Sequence, residues 1–219
     1  MLSKSTEEGA DDLTEEVMLE TNASCWGDVS AIQWTFGNRK QLWDKDRDFY
    51  LVERKNKKMV VNLSNPQQGF YYKKGKLKEG CGKRKNLKKA YKYWANDSYW
   101  LNPFWKFMEN GVNRRTYVDE NGLRHLIIYY SKGKKVGDLY DWTIDSTNRP
   151  TQWNLFVKIV PIKNFRFTWE AWQQFDCLLQ ISTKHVSSLA TIQLKEVKRI
   201  EDWEESEYKK DPFFELLKP

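Results

Sequence analysis

"AYKYWANDSYWLNPFWKF", residues 90–107, sets Tyr91, Tyr93, Trp94, Tyr99, Trp100, Phe104, Trp105 and Phe107 into eighteen positions. Leu87, Ala90, Tyr91 and Trp94 fall at i, i+3, i+4 and i+7, the spacing of one apolar helix face, and Asn86 offers it a cap. Asn96-Asp97-Ser98 predicts a break. A second short helical turn then starts at Tyr99, and Pro103 bends or ends it. The stretch therefore reads as two short helical pieces with aromatic faces.

Outward from it the period is two. Ile32, Trp34 and Phe36 alternate with polar neighbours, and Gly37-Asn38 offers a turn before "KQLWDKD". "RDFYLVERK", "KKMVVNLS" and "QGFYYKK" continue the meander through short polar linkers. Asn121-Gly122 within "NRRTYVDENGLRHLIIYY" predicts a type I′ hairpin. "YDWTIDSTNRPTQWNLFVKI", "FRFTWEAWQQFDCLLQISTKHV" and "ATIQLKEVKRIEDW" supply further strands.

Asp12 and Glu15 form a capping-box arrangement ahead of Leu13, Val17 and Met18, which predicts an amphipathic helix over 10–23. Residues 25–203 then read as one domain, and 204–219 as an acidic tail whose "DPFFELLKP" suits a terminal helix or an ordered strap. The fold class is α+β, mostly β: about ten antiparallel strands with helices on one side.

The chain has 219 residues and a net charge of +7, but "KKGKLKEGCGKRKNLKKAYK", residues 73–92, alone contributes +9. The remainder is weakly acidic. Cys25, Cys81 and Cys177 are odd in number and far apart, so no disulfide framework or metal knuckle can be read from them. No apolar run approaches the ~20 residues that span a bilayer. The start lacks the basic end and apolar core of a signal peptide. That leaves a cytoplasmic protein, or a periplasmic or envelope protein whose export signal has been removed.

Catalytic signatures are not found. His125 and His185 lack metal-ligand spacing, and no GxSxG elbow is present. "GCGKRK" fails the phosphate-loop pattern, which needs four residues between its glycines and a Ser or Thr after the Lys. Glu170 with Asp176 is a carboxylate pair of the kind any chain this acidic offers. Asn22, Asn62 and Asn96 head Asn-x-Ser sites, which matter only in a eukaryotic secretory route. No enzyme, cofactor or metal site is expected.

"AYKYWANDSYWLNPFWKF" resembles the "AYxxWxNDSYWLLMPFKL" core of a group of uncharacterised bacterial envelope proteins related in fold to the lipoprotein-localisation (LolA-like) carriers. "RPTQWNLFVKI", "FTWEAWQQFDCLLQISTKHVSS" and "TIQLKEVKRIED" look like that group's closing hairpins. "AIQWTF" and "QLWDKDRD" look like its opening one, so the resemblance spans about residues 10–203. The group tends to have Gly-Gly where this chain has Asp176-Cys177. The resemblance implies a curved antiparallel half-barrel, plugged on its concave face by the mid-chain helices. It also implies an apolar interior suited to acyl chains, in the bacterial cell envelope.

The expected ligand is thus hydrophobic or lipid-like, bound by a monomer without catalysis. Trp34, Phe36, Trp94, Tyr99, Trp100, Phe104, Trp142, Trp153 and Trp169 are the expected lining. The same rings could instead simply pack on one another as a structural scaffold. Lys83, Arg84, Lys85, Lys88 and Lys89 are the expected contact with an anionic membrane surface. The alternative is single-stranded nucleic acid on segment 73–92, where charge and rings alternate. Against it, the rings occupy the helix face whose period says it is buried.

Overall fold

Alternation along the strands decides which side chains share a face, and cross-strand register turns that into two covered sheet faces. The computed structural model describes residues 4–157, 165–204 and 206–218. Fourteen strands lie among them, in two open antiparallel sheets of nine and five strands. This is the mostly-β antiparallel class expected. Contacts divide the chain into two compact units: Met1–Trp26 with Leu101–Ile192, and Gly27–Trp100 with Gln193–Pro219.

The second unit holds β1 (Ala31–Phe36), β2 (Arg39–Asp44), β3 (Phe49–Arg54), β4 (Lys57–Asn62), β5 (Gly69–Lys73) and β6 (Lys76–Leu77) in sequential order. Past the mid-chain helix α2 (Gly80–Leu101), the later strands of the chain end in β14 (Thr191–Arg199), which pairs with β1. Register places Trp34 opposite Gln41, Trp43 opposite Tyr50, and Val52 opposite Met59, so these side chains share one face. α2 lies on that face. Its Trp94 meets Trp43 edge-on at 5.3 Å between ring centroids. Gly69 passes so close to β4 that a Cβ there would stand 2.2 Å from the Val60 carbonyl oxygen and 3.0 Å from Leu87 of α2.

The opposite face presents Leu42, Phe49, Leu51 and Val60, and the C-terminal segment covers it. Phe213 and Leu216 are buried there, with Ile200, Trp203 and Tyr208 packed beside them. Arg47 anchors this strap by donating to both carboxylate oxygens of Asp211, at 2.7 and 3.1 Å. A short 3-10 turn, Phe214–Leu217, ends the described chain.

The first unit opens with α1 (Ala10–Glu20), whose Leu13 and Val17 are buried while Met18 is half-buried. Its N-cap is Gly9, at φ +70°, with no side-chain cap bond, so the Asp12–Glu15 capping box does not form. Asp12 already sits in the first turn, where its charge favours the helix N-terminus electrostatically instead.

The five-stranded sheet runs β11 (Phe165–Thr168), β10 (Pro150–Phe156), β9 (Leu139–Ile144), β8 (Arg124–Tyr130), β7 (Val112–Val118). At Trp169 the chain leaves this sheet, and β12 (Glu170–Gln174) pairs with β13 (Gln180–Val186). That change of partner and the short β6 raise the strand count above ten. Lys158 and Ile159, at the end of one expected strand, lie outside the described residues.

Two turns differ from expectation. Between β7 and β8, Gly122 N–H donates to the Asp119 carbonyl at 3.1 Å, and only Gly122 has a positive φ, +80°. A type I′ turn needs positive φ at both central residues. Here the Asp119 carboxylate instead accepts from the Asn121 and Leu123 amides, each at 2.9 Å, and holds a wider loop. The mid-chain break is also absent. α2 is one helix of 22 residues running through Asn96-Asp97-Ser98, and Asn86 lies inside it, donating to the Gly82 carbonyl at 2.8 Å.

Candidate functional site: rings, a basic helix face and two grooves

α2 stays whole because the polar groups expected to cap a new helix are used sideways. Asp97 is fully buried and accepts from Arg39 Nε at 2.7 Å, Arg39 Nη2 at 2.9 Å and Gln41 Nε2 at 2.9 Å. Burial pushes its carboxyl above the usual range, while the Arg39 guanidinium and the amides of Asn96 and Gln41 oppose that. Tyr50 donates its hydroxyl to Gln41 and completes the network.

The nine expected lining rings divide between the units. In the second, Trp34 faces Tyr50 at 6.3 Å, Phe36 faces Trp100 at 6.4 Å, and Trp94 sits between Trp43 and Tyr91. Tyr99 is buried. In the first, Trp142, Trp153 and Trp169 form a triangle with centroids 4.8–5.0 Å apart. Phe104, on a 3-10 turn after Pro103, caps it at 5.2 Å from Trp142 and 5.4 Å from Trp169.

These are the contact distances of packed aromatic pairs, and the rings of the triangle are at most 3% exposed. The indole N–H groups of Trp142 and Trp169 are buried with no hydrogen-bond partner among the described residues. A buried donor of this kind normally finds an acceptor.

Two grooves open elsewhere, both in the second unit and both at the β3–β4 turn. The larger, about 490 Å³, has Val60, Phe70, Tyr72 and Pro212 in its walls and Lys55, Lys57, Lys58 and Lys74 around them, with Glu53 and Glu215 also present. The smaller, about 160 Å³, lies beside α2 between Arg54, Lys55, Lys57, Met59, Asn86, Lys89 and Tyr93. None of the nine rings lines either groove.

Arg84, Lys85, Lys88 and Lys89 are exposed on α2, whereas Lys83 is half-buried against Glu79, at 3.1 Å, and the Phe70 ring, at 5.7 Å. Tyr93, the ring among them best placed to stack on a base, is already covered by the Arg39 guanidinium at 4.5 Å and by Lys89 at 5.6 Å.

The titratable groups of the first unit form a separate network. Asp141, fully buried, meets His125 Nδ1 at 2.9 Å and accepts from Tyr117 Oη at 3.1 Å and Asn154 Nδ2 at 3.3 Å. Both oxygens of the carboxylate are thus engaged inside the protein. His185 is buried edge-on to Trp169, 4.4 Å between centroids, and burial pushes its pKa down from 6.5 to about 4.

Glu170 is held below the usual carboxylate range by Lys184, 2.9 Å away. That is the wrong direction for a general acid at neutral pH. The Asp176 side chain lies outside the described residues.

Sequence reading passed over Val60, Phe70 and Tyr72, although Val60 and Phe70 share one strand parity across β4 and β5. The alternation was visible. That the tail, while burying Val60, would leave a groove beside Phe70 and Tyr72 was not. It also passed over the juxtaposition of Cys25 and Cys177, two residues of the first unit 152 positions apart.

No described helix is long and apolar enough to cross a membrane. No known family profile matches the chain, and no curated protein does. Among solved structures the chain is similar to a Vibrio parahaemolyticus domain assigned provisionally as an outer membrane lipoprotein-sorting protein. That likeness has a TM-score of 0.46 and 9% identity, over 93% of this chain and 97% of the other. It is also similar to a DUF1329 family protein from Desulfovibrio piger, with a TM-score of 0.45 and 11% identity, over 90% and 97%.

Proposed function

We propose that this protein binds a lipid-like ligand with an anionic head, without catalysis, in the bacterial cell envelope. The observation that supports it is the larger groove: apolar walls of Val60, Phe70, Tyr72 and Pro212 inside a lysine rim, with a volume of about 490 Å³. Small-molecule sites occupy roughly 300–1,000 Å³. An acyl chain gains about 0.8 kcal/mol per methylene removed from water, and micromolar affinity needs about 8 kcal/mol net. Part of one chain in the groove is enough, provided the lysines neutralise the head.

The exposed cations of α2 are, in this reading, the surface that meets anionic headgroups before transfer. The ring triangle is the second place an acyl chain could enter, by parting Trp142 from Trp169. Their buried N–H groups would then donate to the ligand's carbonyl or carboxylate oxygen.

The test is native mass spectrometry of protein purified without detergent, followed by titration with a dansylated fatty acid. Co-purified acyl lipid and micromolar probe binding are expected, with affinity falling at least tenfold in Phe70→Glu and little changed in Trp142→Phe. The reverse pattern moves the site to the ring triangle. Protein that comes out empty and leaves the probe dark rejects the function. Steeply salt-dependent retention on single-stranded RNA, in such protein, would favour nucleic acid instead.

A further inference from the structure

We infer that Cys25 and Cys177 are a disulfide-forming pair, a covalent modification site that ties the segment following α1 to the β12–β13 hairpin. None of the three cysteines is in a disulfide in this structure, yet the sulfurs of Cys25 and Cys177 lie within 4.8 Å of each other. Each thiol also points at the other residue's backbone: Cys25 Sγ donates to the Cys177 carbonyl at 2.7 Å, and Cys177 Sγ is 3.7 Å from the Cys25 carbonyl. The two side chains therefore already converge. Closing to the roughly 2.05 Å of an S–S bond asks for rotation about side-chain bonds and a small backbone shift.

Both partners are held for the encounter. Asn22 Nδ2 donates to the Cys177 carbonyl at 2.8 Å, and the Gln180 amide donates to the Thr21 carbonyl at 2.9 Å. These hydrogen bonds, beside the pair, tie the two segments together. Cys177 adopts a left-handed backbone, φ +54°, and Leu178 follows at +67°. That conformation is costly for a residue with a Cβ. Reagents can reach the site, because Cys177 is exposed and Cys25 half-exposed.

The step is ordinary thiol–disulfide exchange with a small-molecule or protein disulfide. One thiolate attacks a sulfur of the oxidant and expels one thiol, giving a mixed disulfide. The second protein thiolate attacks that bond and expels the other thiol. Two protein thiols are oxidised and one external disulfide is reduced. An oxidising compartment such as the periplasm closes the pair, and a reducing one keeps it open. Cys81, on α2 in the second unit, has no part in it.

The full-length protein is equilibrated with oxidised and reduced glutathione, trapped with acid and alkylated. It is then digested without reductant and mapped by mass spectrometry. The expected product is a single cross-linked peptide pair joining Cys25 to Cys177, two hydrogens lighter than the reduced pair, with Cys81 still alkylated.

Closing a loop this long raises Tm by roughly 5–10 °C over the reduced protein. The rise persists in Cys81→Ser and is absent in Cys177→Ser, whose reduced form melts with the reduced wild type. Only glutathione adducts at the three cysteines, or random pairing that includes Cys81, overturns the inference, as does an oxidised wild type that melts no higher than Cys177→Ser. The outcome is independent of the groove, since either proposal can fail alone.

Discussion

Asp97 shows what one buried charge does in this chain. Its carboxylate joins α2 to β2 through Arg39 and Gln41, so removing it leaves a guanidinium that is 17% exposed without its counter-ion. Asp97→Ala is expected to cost about 3 kcal/mol, read as a lowered urea midpoint at unchanged slope. His185 behaves differently. Folding lowers its pKa from 6.5 to about 4 through burial, so between those values the unfolded chain takes up a proton that the folded one refuses.

The contribution is intact above pH 6.5 and is lost as pH falls toward 4, by at most about 3 kcal/mol. Melting followed from pH 7.5 to pH 4 checks it. His185→Gln should show a shallower decline than the wild type, and parallel curves would remove His185 from the account. The sequence marked both residues, but not their environments. Asp97 read as a helix breaker because Asn-Asp-Ser commonly caps, and only Arg39, 58 positions away, reveals its other use.

Among the elements, the C-terminal strap is the one whose worth is easiest to measure. Phe213 is fully buried against Phe49, 5.8 Å between ring centroids, with Leu42, Leu51 and Val60 in the same cluster. Phe213→Ala is expected to destabilise the fold by about 3–5 kcal/mol, seen by chemical denaturation, and to expose the strap to limited proteolysis. Reading the sequence gave the strands through β5 almost as observed, since period-two alternation is a local property. It placed α1 within three residues at its C-terminal end. Its failures were at caps and turns, where one side chain has several possible partners: the capping box at Asp12, the type I′ turn at Asn121-Gly122 and the break at Asn96.

For the whole molecule, charge placement decides the behaviour. Ten cations between residues 73 and 92 lie on β5, β6, α2 and the short links between them, and further lysines of the β3–β4 turn line the two grooves. Co-sedimentation with phosphatidylglycerol vesicles is expected at low salt and not with phosphatidylcholine vesicles. The triple change of Arg84, Lys85 and Lys88 to Gln should weaken it on the order of tenfold or more, and so should 0.5 M salt. Equal binding to both vesicle types would remove the anionic-surface role.

What the amino-acid order determined by itself was the fraction of strand, the antiparallel hairpins, the apolar faces of both helices and the confinement of positive charge to one segment. All of these are set by spacing within some twenty residues. Tertiary structure decided which rings meet which, that α2 runs unbroken, that the tail covers one sheet face and leaves a groove beside it, and that Cys25 finds Cys177. Those are contacts between residues tens to more than a hundred positions apart, and no local period encodes them. They follow from how the sheets register and what is left to bury once they have.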